Sequence, residues 1–160
     1  MSSQSIEKQR SLIIKSILLA EDSLEHCYFF KRAVKDINPE IIFTEVHDGD
    51  ELMDLLESYI PDILFLDLNM PCRDGMKCIM EIRENSSYQH MPIVVFSISK
   101  EPASIQLAYE LGANLYFIKP KGYSALLDAL RSILQMDWSK PDLVREHYTE
   151  KKEYAVFNPY

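Results

Sequence analysis

The chain is poor in cysteine and lacks any disulfide pattern. Three cysteines occur among 160 residues, an odd number that cannot pair completely, and Cys27, Cys72 and Cys78 form no CxxC motif. We therefore predict reduced thiols, as is typical of a cytoplasmic protein. The four histidines stand at no metal-ligand spacing among themselves or with the cysteines, which argues against a structural zinc site.

Positive charge and long apolar stretches are also lacking. The net charge is −8, which disfavours non-specific binding to nucleic acid or to an anionic membrane surface. No apolar run approaches the roughly 20 residues that span a bilayer, and residues 1–15 resemble no signal peptide. The acidic balance fits carboxylates gathered around a divalent cation, although solubility alone is the simpler explanation.

What the chain has instead is an alternation of short apolar runs with amphipathic stretches. The runs are continuously apolar and carry β-branched or aromatic residues, which indicates strands of a parallel sheet buried on both faces; they cover 17–20, 41–43, 63–66, 93–96 and 115–118. Helical periodicity follows each of them, at 24–37, 50–59, 75–84, about 102–112 and 123–134. This pattern predicts one α/β domain with a doubly wound five-stranded parallel sheet in the order 2-1-3-4-5, whose second run alternates enough to be an edge strand.

Polar residues follow four of these strands directly. Glu21 and Asp22 follow the first, Asp67 the third, Ser97 the fourth and Lys119 the fifth. Taken singly, Asp22 is better explained as a helix cap, Ser97 as a turn residue and Lys119 as a solvated charge. Together they should meet at the carboxyl edge of the sheet, where three carboxylates need a cation such as Mg²⁺. This joint placement predicts phosphoryl transfer to Asp67 as the nucleophile.

The same residues lie in motifs that resemble those of response regulator receiver domains, whose fold is CheY-like, or flavodoxin-like. The segments are ILLAEDS at 17–23, LFLDLNMP at 64–71, DG at 74–75, VFS at 95–97 and YFIKP at 116–120. The resemblance runs from about residue 15 to 135. It implies that Asp67 is the phosphoacceptor and that Glu21, Asp22 and Asp67 hold Mg²⁺ with the backbone carbonyl of Asn69. It also implies that Lys119 pairs with the phosphoryl group.

The resemblance further implies a switch made of Ser97 and Tyr116, in which the hydroxyl moves to the phosphate and the aromatic ring turns inward. It implies a cis peptide bond before Pro120, which the small trans preference of X-Pro bonds allows. Two positions depart from the common pattern. Glu21 stands where aspartate is more usual and should still serve metal binding through water. Ile98 stands where a small residue is usual, and we expect it to slow phosphorylation by small donors.

Residues 1–11 are predicted to be a flexible lead, 12–136 the receiver domain and 137–160 a tail without a separate output domain. The tail is too short for a DNA-binding helix-turn-helix, so we expect a stand-alone receiver that takes phosphate from a histidine kinase or histidine phosphotransfer protein and acts on a downstream protein target. Its aromatic residues should pack on the domain, extend a dimer contact or remain mobile. The resemblance alone admits a homodimer through the fourth and fifth helices.

Three other functions compete with a terminal receiver. A relay intermediate would pass the phosphate onward, and the sequence does not separate the two. A degenerate receiver would bind partners without phosphate, but all the expected site residues are present. A Mg²⁺-dependent phosphatase of the haloacid dehalogenase type also uses a strand-end aspartate, but it needs a second aspartate as general acid where this chain has Asn69.

Overall fold

The computed structural model describes residues 13–150 and 155–157. In chain order this part of the chain contains β1 Ser16–Ala20, α1 Leu24–Ile37, β2 Ile42–Val46, α2 Gly49–Leu56, β3 Ile63–Leu66, α3 Gly75–Glu84, β4 Ile93–Ser97, α4 Pro102–Leu111, β5 Leu115–Ile118, α5 Tyr123–Leu134 and α6 Pro141–Thr149. The predicted strands and helices are all present. Helix α2 ends before the predicted residue 59, and α6 was not predicted.

The five strands are parallel and lie in the order β2-β1-β3-β4-β5. This confirms the predicted doubly wound α/β fold and the edge position of β2. The register places Ala20 of β1 opposite Val46 of β2 and opposite Leu66 of β3. Strands β1 and β3 therefore end side by side, and the residues that follow them emerge at one edge of the sheet.

The helix ends near the sheet follow from the local sequence. Ser23, Asp48 and Asp74 cap α1, α2 and α3, each accepting a hydrogen bond from the backbone N–H of the third residue on. Each cap satisfies a donor that the helix itself leaves free. Helix α4 has Pro102 in its first turn and ends at Gly112, whose φ of 119° is in the left-handed region.

Apolar side chains fill both faces of the sheet. One face packs against α1 and α5, and the other against α2, α3 and α4. Alternate residues of β3 serve the two faces: Ile63 and Phe65 join the first cluster, whereas Leu64 and Leu66 join the second. The continuous apolar runs of the sequence thus reflect burial on both sides of a central sheet.

The chain beyond α5 returns to the sheet. Trp138 is 1% exposed, and its Nε1–H donates to the Ile133 carbonyl at 2.8 Å. Helix α6 follows, and residues 155–157 reach the free edge of β5, where the Phe157 N–H donates to the Tyr116 carbonyl at 2.8 Å. We call residues 137–150 and 155–157 the C-terminal clasp. Of the three alternatives for the tail, packing on the domain is the one observed for this part of it.

Two expectations fall on other parts of the chain. The predicted flexible lead, residues 1–11, lies outside the described residues, as do the tail aromatics Tyr154 and Tyr160. In the described part, no helix combines the length and apolarity that crossing a bilayer requires.

Candidate functional site

The acidic residues of the site come from the turns after β1 and β3. Glu21 and Asp22 precede α1, and Asp67 follows β3 directly. The Asp67 N–H donates to the Ala20 carbonyl at 2.9 Å, so strand pairing continues as far as the acidic residue. Gly75 lets the chain return closely past this turn. A Cβ there would lie 2.6 Å from the Asp67 carbonyl oxygen, so a larger residue would displace the Asp67 backbone.

Three carboxylates converge at this edge. Ligand oxygens of Glu21, Asp22 and Asp67 all lie within 4.8 Å of one another. Glu21 and Asp67 are 1% and 4% exposed, whereas Asp22 is exposed to solvent. Carboxylate oxygens are the ligands of hard divalent cations, and a site that keeps one side open to water suits Mg²⁺. The residues present therefore fit the predicted metal.

Lys119 reaches the same crevice from the end of β5. Its Nζ donates to Glu21 Oε2 at 2.9 Å and to Asp67 Oδ2 at 3.4 Å, and it lies 5.1 Å from the centre of the Phe96 ring. The Lys119 N–H donates to the Ser97 carbonyl at 2.8 Å, which fixes the backbone from which the side chain extends. One ammonium group thus faces two buried carboxylates and offsets only part of their charge.

The pKa of Asp67 reflects this imbalance. Burial, together with the hydrogen bond and the charge of Glu21, raises the pKa of Asp67 from 3.8 to about 6. The Asn69 N–H, which donates to Asp67 Oδ1 at 3.1 Å, and the Lys119 ammonium act in the opposite direction. A cation beside the carboxylates would add to these two effects and favour the ionised, nucleophilic form.

His26 belongs to the site, although sequence reasoning missed it. Its Nδ1 lies 3.0 Å from Glu21 Oε1 and 3.1 Å from Lys119 Nζ. A single ring nitrogen either donates to the carboxylate or accepts from the ammonium, so the two contacts alternate with the tautomer. The signal was weak: His26 stands on the first turn of α1, five residues after Glu21, on an exposed part of the helix.

The two predicted switch residues lie on neighbouring strands. Ser97 is fully buried, and its Oγ accepts a hydrogen bond from the Ser99 N–H at 3.2 Å. Tyr116 is fully buried with its ring turned into the domain, and its hydroxyl donates to the Ser99 carbonyl at 2.9 Å. Burial raises the pKa of Tyr116, so this hydroxyl keeps its proton. Both residues therefore meet at Ser99, in the loop between β4 and α4.

The remaining predicted residues differ in outcome. The expectation of a cis bond before Pro120 is wrong: the described chain contains no cis peptide. The physical reason is that an X-Pro bond still favours trans by about 0.5–1 kcal/mol, and Lys119 reaches both carboxylates from a trans backbone. Ile98 is 68% exposed beside the buried Ser97. Its effect on access and the metal contact of the Asn69 carbonyl stay predictions.

Comparison with known proteins bears on this geometry. The family model of the response regulator receiver domain matches residues 17–131, most of the chain. The chain belongs to the response regulator receiver domain family. It is therefore a receiver domain of two-component signalling. Members of this family generally act in signalling and not as catalysts, so the phosphatase alternative gains no support.

Two relatives resemble this receiver over most of its length. The chemotaxis protein CheY of Halobacterium salinarum is 31% identical over 122 residues, which are 75% of this chain and 97% of that protein. The response regulator Rcp1 of Synechocystis is 30% identical over 128 residues, 74% of this chain and 86% of that protein. Both matches are consistent with a chain that consists mainly of a receiver domain.

Solved structures agree with the fold of this receiver. The phosphorylated cyanobacterial phytochrome response regulator RcpA is 28% identical with a TM-score of 0.73, covering 79% of this chain and 96% of that chain. The Mn²⁺-bound form of Rcp1 is 24% identical with a TM-score of 0.66, covering 90% of this chain and 99% of that chain. At the latter identity the likeness concerns the fold alone.

Proposed function

We propose that Asp67 accepts a phosphoryl group from the phosphohistidine of a histidine kinase or histidine phosphotransfer protein, and that this switches a protein-binding surface. The observation that carries the proposal is the position of Asp67: a buried carboxyl group beside Glu21, with the Lys119 ammonium 3.4 Å from its Oδ2. Such a group can act as a nucleophile once its charge is supported. The phosphorylated state of the relative RcpA supports the same chemistry here.

In the proposed reaction a carboxylate oxygen of Asp67 forms a bond to phosphorus while the phosphorus–nitrogen bond of the donor breaks. The electron pair of that bond goes to the imidazole nitrogen, which takes a proton from solvent. Lys119 stays beside the transferring group and offsets its negative charge. Glu21, buried behind the ammonium, keeps Nζ in place through the contact at 2.9 Å.

Glu21, Asp22 and Asp67 would hold a divalent cation, with the carbonyl of Asn69 as the further predicted ligand. Mg²⁺ would supply charge neutralisation for the phosphoryl oxygens when bound. The donor set of three carboxylates within 4.8 Å supports this assignment. The relative Rcp1 has a Mn²⁺-bound form, and the same oxygen ligands accept either ion.

The approach of the donor has room beside Lys119. A cavity of about 330 Å³ opens between α1 and α5, lined among others by His26, Phe29, Lys119 and Tyr123. A partner that presents a histidine side chain would enter along this groove and meet Lys119 before Asp67. The groove combines aromatic surface with one ammonium group and the carboxylate of Glu25, which fits a protein partner better than a small anionic donor.

The output would begin at Ser97. Its hydroxyl, now accepting from the Ser99 N–H, would instead donate to a phosphoryl oxygen on Asp67. This removes one of the hydrogen bonds that hold the loop between β4 and α4. The Tyr116 hydroxyl binds the same loop, at the Ser99 carbonyl. The equilibrium of the surface around β4, α4 and β5 would shift, and a downstream protein would bind the favoured form.

Several further assignments remain proposals. They are the limits 12–136 for the receiver domain, a cytoplasmic location, and the absence of direct binding to DNA. A homodimer through α4 and α5 would have to include or displace the clasp, because Arg145 of α6 donates to the Tyr109 carbonyl of α4 at 2.9 Å.

The test is transfer of labelled phosphate from a phosphohistidine donor protein in the presence of Mg²⁺. The native protein should become labelled, Asp67→Asn should not, and Asp54→Asn, which changes an exposed aspartate on α2, should be labelled like the native protein. Labelling of Asp67→Asn at the native rate would overturn the proposal. The lifetime of the label, with and without candidate histidine proteins, separates a terminal receiver from a relay intermediate.

A further inference from the structure

We propose that Cys27, Glu45 and His47 form a second metal site, selective for a transition ion of the Zn²⁺ type, between α1 and the edge strand β2. One ligand atom of each residue lies within 4.8 Å of the other two. The site is separate from the carboxylate site in its residues and in its donor atoms. It requires neither phosphate nor a partner protein, so it stands whether or not Asp67 is phosphorylated.

The fold explains why these three residues meet. Glu45 in β2 and His47 just after it are two positions apart, so they lie on the same face of the strand. Phe43, on that face too, packs with the cluster under α1. Cys27 occupies the first turn of α1 and is buried, with its thiol donating to the Glu21 carbonyl at 3.4 Å. The side chains thus converge from two elements.

His47 has a ring nitrogen that needs a partner. Within the described residues, His47 Nε2 is buried and has no hydrogen-bond partner, and the nearest carboxylate oxygen, Glu45 Oε2, lies 3.8 Å away. The ring as a whole is 42% exposed, so it is the inward nitrogen that is shielded from water. A buried polar atom without a partner is costly. Coordination of a metal ion would satisfy it.

The donor set selects the ion. A thiolate, an imidazole and a carboxylate are together the ligands of Zn²⁺, and three protein ligands leave a fourth position for water. Mg²⁺ prefers oxygen atoms alone and would stay with Glu21, Asp22 and Asp67. Ligand atoms on one tetrahedral Zn²⁺ lie about 3.3–3.7 Å apart, given its bond lengths, so pairs of ligand atoms within 4.8 Å need to draw together by about 1.5 Å at most. Binding displaces the thiol proton of Cys27, which goes to solvent.

The site adjoins the carboxylate crevice through the backbone. The Glu21 N–H donates at 3.0 Å to the carbonyl of Val46, which stands between Glu45 and His47 in the chain. The Cys27 thiol contacts the carbonyl of Glu21. A metal ion that joins α1 to β2 would therefore stiffen the turn that carries Glu21 and Asp22. The expected consequence is a more rigid crevice, not a new reaction.

The test is titration of the metal-free full-length protein with Co²⁺, followed by competition with Zn²⁺. All proteins carry Cys72→Ser, because Cys72 is the exposed thiol and would bind metal adventitiously. We expect one Co²⁺ with a thiolate-to-metal charge-transfer band that Zn²⁺ abolishes and excess Mg²⁺ does not. The band should persist in Asp67→Asn and in Cys78→Ser, which removes a buried thiol elsewhere.

Cys27→Ser should abolish the band, and His47→Gln should weaken Zn²⁺ binding at least tenfold. His47 is the safer variant, since its ring is partly exposed and its replacement should leave the fold intact. Circular dichroism of each variant checks folding. Absence of the band in the parent protein, or its persistence with an unchanged Zn²⁺ affinity in folded His47→Gln, would overturn the proposal.

Discussion

The carboxylate crevice and the C-terminal clasp lie on either side of Tyr116. They differ in how completely their polar groups are paired. In the crevice, Glu21 and Asp67 lie beside the single ammonium of Lys119. Burial, together with the neighbouring Glu21, raises the pKa of Asp67 despite that ammonium. In the clasp, polar groups find partners that match them. The Phe157 N–H donates to Tyr116, and the guanidinium of Arg145 binds the Tyr109 carbonyl.

This difference indicates which region stabilises the folded receiver and which region destabilises it. An unbalanced cluster of buried carboxylates costs folding free energy in the absence of a cation or a proton. A segment with satisfied hydrogen bonds and a buried tryptophan contributes folding free energy. The clasp therefore helps to hold a domain whose functional edge is strained by its own charges.

The largest effect should come from breaking the clasp. Trp138→Ala removes a side chain that is 1% exposed together with its hydrogen bond to Ile133, and it should lower the free energy of unfolding by about 3–5 kcal/mol. The measurement is urea unfolding followed by circular dichroism, because Trp138 is the single tryptophan. The control is Leu143→Ala on α6, where the side chain is 54% exposed and the change should stay within about 0.5 kcal/mol. Equal effects would contradict a packed clasp.

The second prediction concerns removal of one negative charge from the crevice. The pKa of Asp67 is raised from 3.8 to about 6 in the folded protein, so this carboxyl group ionises at a lower pH in the unfolded chain. The free energy of unfolding therefore falls as the pH rises from about 4 to 6. Above that range the loss is complete. Asp67→Asn lacks this loss, so without divalent cations it should be more stable than the native protein at pH 7.5, by up to about 3 kcal/mol.

Thermal unfolding of the two proteins at several pH values checks this. The advantage of Asp67→Asn should shrink towards pH 4, and Mg²⁺ should stabilise the native protein more than the variant. The exposed-site variant Asp54→Asn should show neither trend. A native protein that is more stable than Asp67→Asn at pH 7.5 without metal would refute the proposed charge imbalance.

The third prediction concerns the residue that joins the two regions. The Tyr109 hydroxyl accepts from the Tyr116 N–H at 2.9 Å and donates to the Ala155 carbonyl at 2.6 Å. Tyr109→Phe leaves that buried N–H without this partner and should cost about 1–2 kcal/mol. Hydrogen exchange at the Phe157 amide should also accelerate. Tyr28→Phe, at an exposed ring on α1, is the control. Unchanged exchange in Tyr109→Phe would show that the Tyr109 hydroxyl does not link the clasp to Tyr116.

The smallest effect should be at the rim of the crevice. Ile98→Ala shortens an exposed side chain next to Ser97, so stability should barely change, while labelling by a small donor such as acetyl phosphate should become severalfold faster. Ile42→Ala, at an exposed position on β2, should leave the rate unchanged. Equal labelling rates for Ile98→Ala and the native protein would show that Ile98 does not restrict access.

Much of this architecture could be predicted from the sequence because periodicity encodes burial directly. The continuous run of β3 requires two covered faces, and parallel strands bring their carboxyl ends to one edge, so Asp67 had to meet Glu21. His26 could not be predicted in the same way. Its contacts depend on how far the Lys119 side chain extends, and spacing along the chain does not encode that reach.

Helix α6 was missed for a related reason. It begins at Pro141 without a side-chain cap, and its residues are mostly charged or exposed, so its apolar pattern is faint. The Cys27–Glu45–His47 cluster was missed because spacing arguments examine one segment, whereas these ligands come from a helix and a strand. The prediction of a cis bond before Pro120 was wrong because it came from the resemblance alone. The local sequence leaves both isomers of an X-Pro bond accessible.

The pairing of Phe157 with β5 also affects how the protein behaves when it is shortened. A parallel sheet that ends in an uncovered strand offers a row of unpaired backbone groups, which other chains can recruit into intermolecular sheets. A chain cut back to the residues 17–131 that match the family would uncover that row and the apolar surface beneath Trp138. Such a fragment should therefore be prone to aggregation on expression, and the solubility of this receiver would then depend on residues outside the region that defines its family.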